Sequence, residues 1–442
     1  MSYFGIPVRN GLPIGLGSVA PLASSTSSPF SPASFFSNGE QGWWYDPSNF
    51  ATLFQDSAGT TPVTAVEQPV GLQLDLSGRG NHRRQTTSAN RPVVSARVNL
   101  LTKTEEGSGW QYDALTYTFY NSPVPAASAA SSWGWSNGTT NYPRIGSVDA
   151  ASGVAVKCRA YLWVASGTVS VRPAAYYSSA WQLLAPAFTL TSTPQLFEWS
   201  YTPSTATSFG SAFALQVVGS GDLRITATDY RVANIGVGLP TYQRVNTSTD
   251  YDSTGFPTYI KPNGSNQFMV TNSINFSGTD KMTVWQGVRK LSDATFGTLA
   301  ETGTNSFSNA GSFGMVSSGG SLTSGPFYTL LGNGSSGYAA DFQTYAAPIT
   351  NVLTAQFDIA QSTGSTEVTL RVNSATATRG STAGTSMGTG NFGTYPAYFY
   401  MRAGTATPFG GYDYGSIARG AASTAAQITA GETYINSLTK AY

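Results

Sequence analysis

The sequence predicts an all-β protein built of antiparallel sandwiches, entered through an extended N-terminal arm and closed by one short C-terminal helix. Three observations lead there. Charged residues make up 10% of the 442, against roughly a quarter in ordinary soluble proteins; Gly, Ser, Thr and aromatic residues fill their place, a balance that favours short strands and tight turns. Apolar residues alternate with polar ones in short runs broken by Gly, Pro, Asn and Ser, which is the period of a half-buried strand. The length also exceeds what one hydrophobic core usually fills, so more than one sandwich is expected.

The arm comes first. No charge appears between Arg9 and Glu40, and the segment has neither helical nor strand period. It is nonetheless apolar: Leu12, Ile14, Leu16, Val19, Leu22, Phe30, Phe35 and Phe36 would each gain about 1.5 to 3 kcal/mol on burial. Residues 1–41 therefore read as an arm that docks these side chains on another subunit.

Strands begin at Trp43-Trp-Tyr-Asp-Pro-Ser48, and Val70-Gly-Leu-Gln-Leu-Asp-Leu76 alternates until Ser77-Gly-Arg-Gly-Asn-His82. Two glycines one residue apart mark a tight turn with positive φ. Between Asn99 and Val245, short runs recur at 114–120, 154–164, 168–172, 195–201, 212–218 and 223–227, the spacing of an antiparallel sandwich. Further strands are expected at 259–260, 267–270, 281–289, 312–316, 352–359, 367–372 and 397–402. Trp44, Trp163, Trp199 and Trp285 fall in strand patterns and are expected in cores. The last element is a helix: Thr424-Ala-Ala-Gln427 has capping-box spacing, and Ile428, Gly431, Ile435, Leu438 and Tyr442 would share one face.

Composition also sets limits on partners. Lys and Arg number 23 and Asp and Glu 22, so no broad field exists to gather phosphates, and nucleic acid is not an expected partner. No stretch approaches the 18 or more apolar residues of a membrane span, so no membrane partner is expected either. The start, Met1-Ser-Tyr-Phe-Gly-Ile-Pro-Val-Arg9, lacks the basic region and apolar run of a signal peptide. A single cysteine, Cys158, rules out an intrachain disulfide, and its alternating surroundings suggest a core thiol. A single histidine, His82, removes any site that needs two imidazoles.

Trp44-Tyr-Asp-Pro-Ser-Asn-Phe-Ala-Thr-Leu-Phe-Gln-Asp-Ser-Ala-Gly59, followed by Val70 to His82 and Asn90-Arg-Pro92, resembles the opening of concanavalin A-like (laminin G-like) domains found in phage and prophage structural proteins. The next part of that pattern is displaced, to Thr254–Val270 and Ile274–Arg289, and its end resembles Tyr412-Asp-Tyr-Gly-Ser-Ile-Ala418. The block between opens with Val98-Asn-Leu-Leu-Thr-Lys-Thr-Glu-Glu106 and ends with Pro240-Thr-Tyr-Gln-Arg-Val245, borders similar to those of carbohydrate-binding-module-like jelly rolls in phage proteins. The resemblance implies two antiparallel β-sandwiches (jelly rolls), one inserted in the other: a lectin sandwich of residues 42–97 plus 246–442, and an inserted jelly roll of residues 98–245. Here Asn263-Gly264-Ser265-Asn266 stands where the family usually has a glycine-aspartate pair, so a calcium or ligand site depending on that aspartate is not carried over.

Chemistry is sparse. A glycosidase would need a carboxylate pair on one strand face; Glu105 and Glu106 are adjacent and would point apart, and Asp250 and Asp252 sit in a Thr- and Ser-rich linker. No catalytic residue and no metal site is assigned. No cofactor is called for, calcium on Asp250 and Asp252 being the one considered. Arg79, Arg83, Arg84 and Arg91 form a local basic cluster, read as an exposed loop or a grip on an acidic partner. Aromatic rings among small polar residues are the better candidates, since sugar C–H faces stack on them while amides and hydroxyls take the hydroxyl groups. Trp133, Trp135, Asn137, Tyr142, Tyr176, Tyr177 and Trp181 are the expected glycan-binding residues, placed in loops.

Together these readings describe a non-enzymatic virion structural protein, a head decoration, head fibre or tail-fibre-like appendage. Its arm would attach to capsid or tail proteins of the same particle, and a homo-oligomer, as a trimer, is the expected assembly. The alternatives are a host-receptor-binding protein recognising surface polysaccharide and a polysaccharide depolymerase.

Overall fold

The computed structural model describes residues 30–105, 117–121, 124, 127, 129–135, 142–144, 148–317, 325–376, 381–383 and 386–442. The chain is nearly all β, as expected, with three antiparallel sheets among these residues and one helix of more than a single turn. The arm side chains Leu12, Ile14, Leu16, Val19 and Leu22 lie outside the described residues, and Phe30 is exposed.

Two sheets face each other across the main core. In the first, the strand Gly411–Arg419 is paired on one side with Lys281–Lys290 and on the other with Gly42–Tyr45 and Tyr259–Lys261. In the second, Arg83–Arg84 pairs with Met269–Asn275, which pairs with Thr394–Phe399. Strands from before residue 96 thus lie hydrogen-bonded to strands from after residue 258. Side chains alternate across each strand, so Trp43 and Tyr45 enter the core between the sheets with Met282, Val284, Phe313, Phe357 and Phe399.

The outer face of the first sheet is covered by the helix Ala425–Thr439, whose Ile435 packs with Trp285, Val352 and Ile417. Covering both faces is why all but the first residue of Lys281–Lys290 are buried. The capping box forms as the spacing predicts: Gln427 N donates to Thr424 Oγ1 (3.3 Å) and Thr424 N to Gln427 Oε1 (2.9 Å). Lys440 takes a left-handed C-cap, so Tyr442 falls past the helix end rather than on its face. Gly431 lets the helix sit close, since a Cβ there would lie 2.6 Å from the Trp285 indole.

This layer brings two corrections. Phe35 and Phe36 belong to a 3-10 turn, Pro32–Phe36, and are buried in the helix layer, Phe35 stacked on Trp285 at 4.9 Å. They serve the chain's own core and are not free to dock elsewhere, because a flat apolar surface already covers them. Trp43, not Trp44, fills the central core; Trp44 points the other way and donates its indole N–H to Tyr434 on the helix at 3.1 Å. A one-residue register choice in a Trp-Trp pair flips which ring enters, and the sequence offers no way to choose.

The third sheet, of strands lying between Tyr117 and Val232, has its own core, in which Val156, Cys158, Ala160 and Leu162 alternate inward with Phe213, Leu215, Ile225 and Tyr230. Burial pushes the Cys158 thiol well above its usual range. Four expected runs here fuse into two long strands, Val156–Tyr177 and Ala214–Val232, paired along their length. Glycines read as turns are instead points of close approach: a Cβ on Gly167, at φ +83°, would come 2.3 Å from the Ser220 carbonyl oxygen. The two chain crossings are clasped side by side. Val98 N and Asn99 N both donate to Gln243 Oε1 (2.7 and 2.9 Å), and Asn99 Nδ2 returns a bond to the Gln243 carbonyl at 2.9 Å. Both side chains are fully buried, which gives the border motifs a physical role.

Candidate functional site

The turn Ser77 to His82 is structural. Gly78 and Gly80 have positive φ (80° and 74°), and Asp75 accepts from Trp44 N, Ser77 N, Ser77 Oγ and Asn81 N. His82 Nδ1 accepts from Asp75 N at 2.9 Å.

The basic cluster is neither an exposed loop nor a grip. Arg83 is fully buried, ion-paired to Asp413 at 3.0 Å, bonded to Gln73 Oε1, and set over the Tyr45 and Phe399 rings. Tyr400 also donates to Asp413, at 2.5 Å. Burial raises the Tyr45 and Tyr400 phenols far above their ordinary range, so both stay protonated. Arg79 donates to the Phe36 carbonyl and Arg91 to that of Gln85.

The carboxylates considered for chemistry are held by neighbours. Asp250 and Asp252 accept from Arg244 at 3.1 and 3.3 Å, and the Arg244 hydrogen bond holds the Asp250 carboxyl below its ordinary value. Glu105 is buried and accepts from Tyr242 OH at 3.3 Å, while Glu106 lies outside the described residues. No group of three or more His, Cys, Asp or Glu side chains is placed to hold a metal among the described residues.

The aromatic candidates divide. Val156–Tyr177 turns back into Ala180–Leu183 through Ser178 and Ser179, both at positive φ (52° and 61°), a two-residue hairpin. Its register sets Trp181 opposite Tyr176, so both rings stand on one face. Tyr142 stacks flat on Trp181 (centroids 4.3 Å, 7° apart), and Tyr176 meets Trp181 edge-on at 5.5 Å. Alternation sends Tyr177 to the other side, where it stacks on Tyr201. Trp133 and Trp135, expected in a loop, lie in the strand Ala129–Trp135, opposite Leu223 and Gly221. Asn137 lies outside the described residues.

Sequence reasoning missed three members of this surface. Phe209 continues the row of rings, edge-on to Tyr176 at 5.5 Å and 67% exposed. Its loop is pinned by Asp149, which accepts from Thr207 Oγ1, Gly210 N and Ser211 N. Gln216 donates to Tyr142 OH at 2.6 Å and accepts from Arg172 Nε, a cross-strand partner. The result is a half-exposed aromatic shelf with a guanidinium, an amide and a phenol on its rim. Phe209 stands alone among small residues in Thr207-Ser-Phe-Gly-Ser211, which was the available signal. For Arg172 and Gln216 there was none beyond their strand parity.

No protein-family model matches the chain, and no curated protein matches it. Among solved structures it is similar to the CBM40 of the Ruminococcus gnavus IT-sialidase bound to alpha2,3 sialyllactose (14% identity, 34% of this chain and 82% of that one, TM-score 0.26). It is also similar to the N-terminal CBM22-1-CBM22-2 tandem domain of Paenibacillus barcinonensis Xyn10C (8% identity, 73% and 97%, TM-score 0.24). A third is the Trypanosoma rangeli sialidase in complex with the inhibitor DANA (9% identity, 85% and 64%, TM-score 0.28).

Proposed function

We propose that the protein is a non-enzymatic glycan-binding protein, and that it works as a displayed appendage of a bacteriophage particle. The observation that carries the glycan reading is the shelf of Tyr142, Trp181, Tyr176 and Phe209 with Arg172 and Gln216 beside it. Half-exposed rings clustered on one face, with hydrogen-bonding groups at their edge, suit a sugar's apolar ring face and its hydroxyls together. The rings are set by a tight hairpin and by mutual stacking, so little ordering remains to oppose binding. The virion setting rests on the motifs at Trp44 to Asn81 and on the apolar arm ahead of Pro32.

A glycan array followed by calorimetry on its hits tests the first part. Trp181→Ala is expected to weaken the best saccharide at least tenfold, with the circular dichroism spectrum retained. Unchanged affinity in Trp181→Ala and in Tyr176→Ala would remove the proposal. Release of reducing ends from a bound polysaccharide would overturn its non-enzymatic part. The second part is tested by complementing a phage with a chain lacking residues 1–31. Loss of the protein from purified particles is expected, and full incorporation would refute the docking arm.

A further inference from the structure

The same inserted sandwich carries a second concavity, apart from the aromatic shelf. A cleft of about 640 Å³ opens over the first half of Val156–Tyr177 and its two neighbours, Gln195–Tyr201 and Ala214–Val232. That volume is in the range of small-ligand sites, about 300 to 1,000 Å³. The strand registers lay its floor in two rows: Glu198, Arg159 and Asp229 across one, Ser200, Lys157 and Arg231 across the next. Residues 232–241 run back over the floor as a wall.

That wall is held in place from outside. Val237 N donates to the Lys440 carbonyl at 2.6 Å, Thr350 Oγ1 to that of Ile235 at 3.1 Å, and Arg289 to those of Asn234 and Ala233. The cleft is therefore preformed.

Its charges are unevenly answered. Arg231 is fully engaged, donating to both oxygens of Asp229 (2.6 and 2.7 Å) and to the Pro240 carbonyl (2.7 Å). Asp229 in turn also accepts from Gln243 N at 3.0 Å. Arg159 is different. Its side chain is only 11% exposed, its Nε lies 3.9 Å from a Glu198 carboxylate that is itself 59% exposed, and its Nε and Nη1 have no hydrogen-bond partner. Lys157 beside it is exposed and makes no ion pair among the described residues. A buried guanidinium donor without an acceptor is costly, and an arriving acceptor would relieve that cost.

We propose that this cleft binds a carboxylate, with Arg159 and Lys157 as its recognition pair. The sign of the ligand follows from two cations that lack a hydrogen-bonded carboxylate, Arg159 having only the Glu198 oxygen at 3.9 Å and the Tyr161 ring beside it. Its valence follows from the flanking acids: a phosphate monoester, near two negative charges at neutral pH, would face both Glu198 and Asp229, whereas a single carboxylate leaves the balance favourable. A planar guanidinium also matches a planar carboxylate. Two sources share this chemistry, a uronic acid residue within a polysaccharide and a free small organic acid.

The test uses the full-length chain with ¹⁵N-labelled arginine, reading the Arg Nε–H signals during titration with oligogalacturonate, neutral oligogalactose and gluconate, a free monocarboxylate. Oligogalacturonate is expected to shift one Arg Nε–H signal that is missing from the Arg159→Met spectrum. Calorimetry should show its affinity falling at least tenfold in Arg159→Met and severalfold in Lys157→Ala, whose exposed site keeps the fold intact. Trp181→Ala should leave this binding unchanged, so failure here and failure of the shelf are separable. Gluconate binding as tightly as the oligosaccharide would support the carboxylate site and assign the free acid as its source. Equal binding of oligogalactose, no shift with either acid, or full affinity in Lys157→Ala and Arg159→Met would overturn the proposal.

Discussion

The two sandwiches treat charge differently. In the outer one, the most deeply buried ion pairs are closed within the chain: Arg83 with Asp413, Arg402 with Glu301, Arg371 with Glu432, Arg419 with Glu40. These pairs link segments far apart in sequence, and Arg83–Asp413 joins a strand at residue 83 to one at residue 413. In the inserted sandwich Arg231 is likewise closed on Asp229, and single nitrogens of Arg83 and Arg402 lack a partner in the outer one. What differs is that Arg159 reaches its nearest carboxylate, the exposed Glu198, only at 3.9 Å, and that a row of half-buried rings ends in the exposed Phe209. The difference separates the frame from the surface proposed for recognition. A charge answered internally holds the fold, while one left open is available to something else.

The sharpest way to break that comparison is to remove one charge from each sandwich. Asp413→Ala strips the acceptor shared by Arg83, Tyr400 and Gln286. Leaving a buried cation uncompensated costs about 3 to 5 kcal/mol, so a large fall in urea midpoint is expected. Lys157→Ala should change the midpoint by no more than about 0.5 kcal/mol. Comparable losses in the two variants would show that the sandwiches do not divide in this way.

A second variant probes the frame's third layer. Gly431→Ala gains helix propensity worth about 1 kcal/mol, but its Cβ would meet the rigid Trp285 ring at 2.6 Å. Overpacking of this kind costs about 1 to 3 kcal/mol, and the ring has no room to yield beneath Phe35, so net destabilisation is expected. A thermal melt with tryptophan fluorescence reads it, and a raised melting temperature would mean that the helix is not seated on Trp285.

The frame was more legible in the sequence than the site. Period-two runs, paired glycines and a capping box are local signals, and they specify strands, the turn at Gly78 and Gly80, and the start of the last helix. Tyr176 and Trp181 were legible as a pair of rings near a turn. Arg83 was not legible as a core residue, because nothing near it in sequence announces Asp413. Arg159 was equally hidden: a charge alternating with Val156, Cys158 and Ala160 reads as a solvated face, and only the return of residues 232–241 encloses it. Phe35 and Phe36 show the same limit in reverse, since an apolar pair ahead of the first strand finds its partners in Trp285 and the last helix.

The helix start supplies a smaller effect. Thr424→Ala removes the acceptor for Gln427 N, a loss of about 1 kcal/mol for a capping residue. Hydrogen exchange should rise in the first turn of Ala425–Thr439 with the shelf's saccharide affinity unchanged. A change in that affinity would tie the frame to the recognition surface and blur the contrast between them.

The smallest effect is set by pH. Glu40 accepts from Arg419 at 2.7 Å, and Arg419 also donates to the Phe35, Ala422 and Gln427 oxygens, binding the 3-10 turn to the helix start. Burial alone would raise the Glu40 carboxyl, but the Arg419 hydrogen bond, the backbone N–H groups of Glu40 and Asn38 and the Arg419 charge together outweigh it and hold the pKa below its ordinary value. A carboxyl whose folded pKa is depressed contributes stability that is present above its unfolded pKa, about 4.3. That contribution is lost as pH falls through the folded value. The wild-type melting temperature should therefore drop further between pH 7 and pH 3 than that of Glu40→Gln, which carries no titrating group there. Parallel pH profiles for wild type and Glu40→Gln would mean that this pair does not hold the frame, and the outer sandwich would then rest on its other buried pairs.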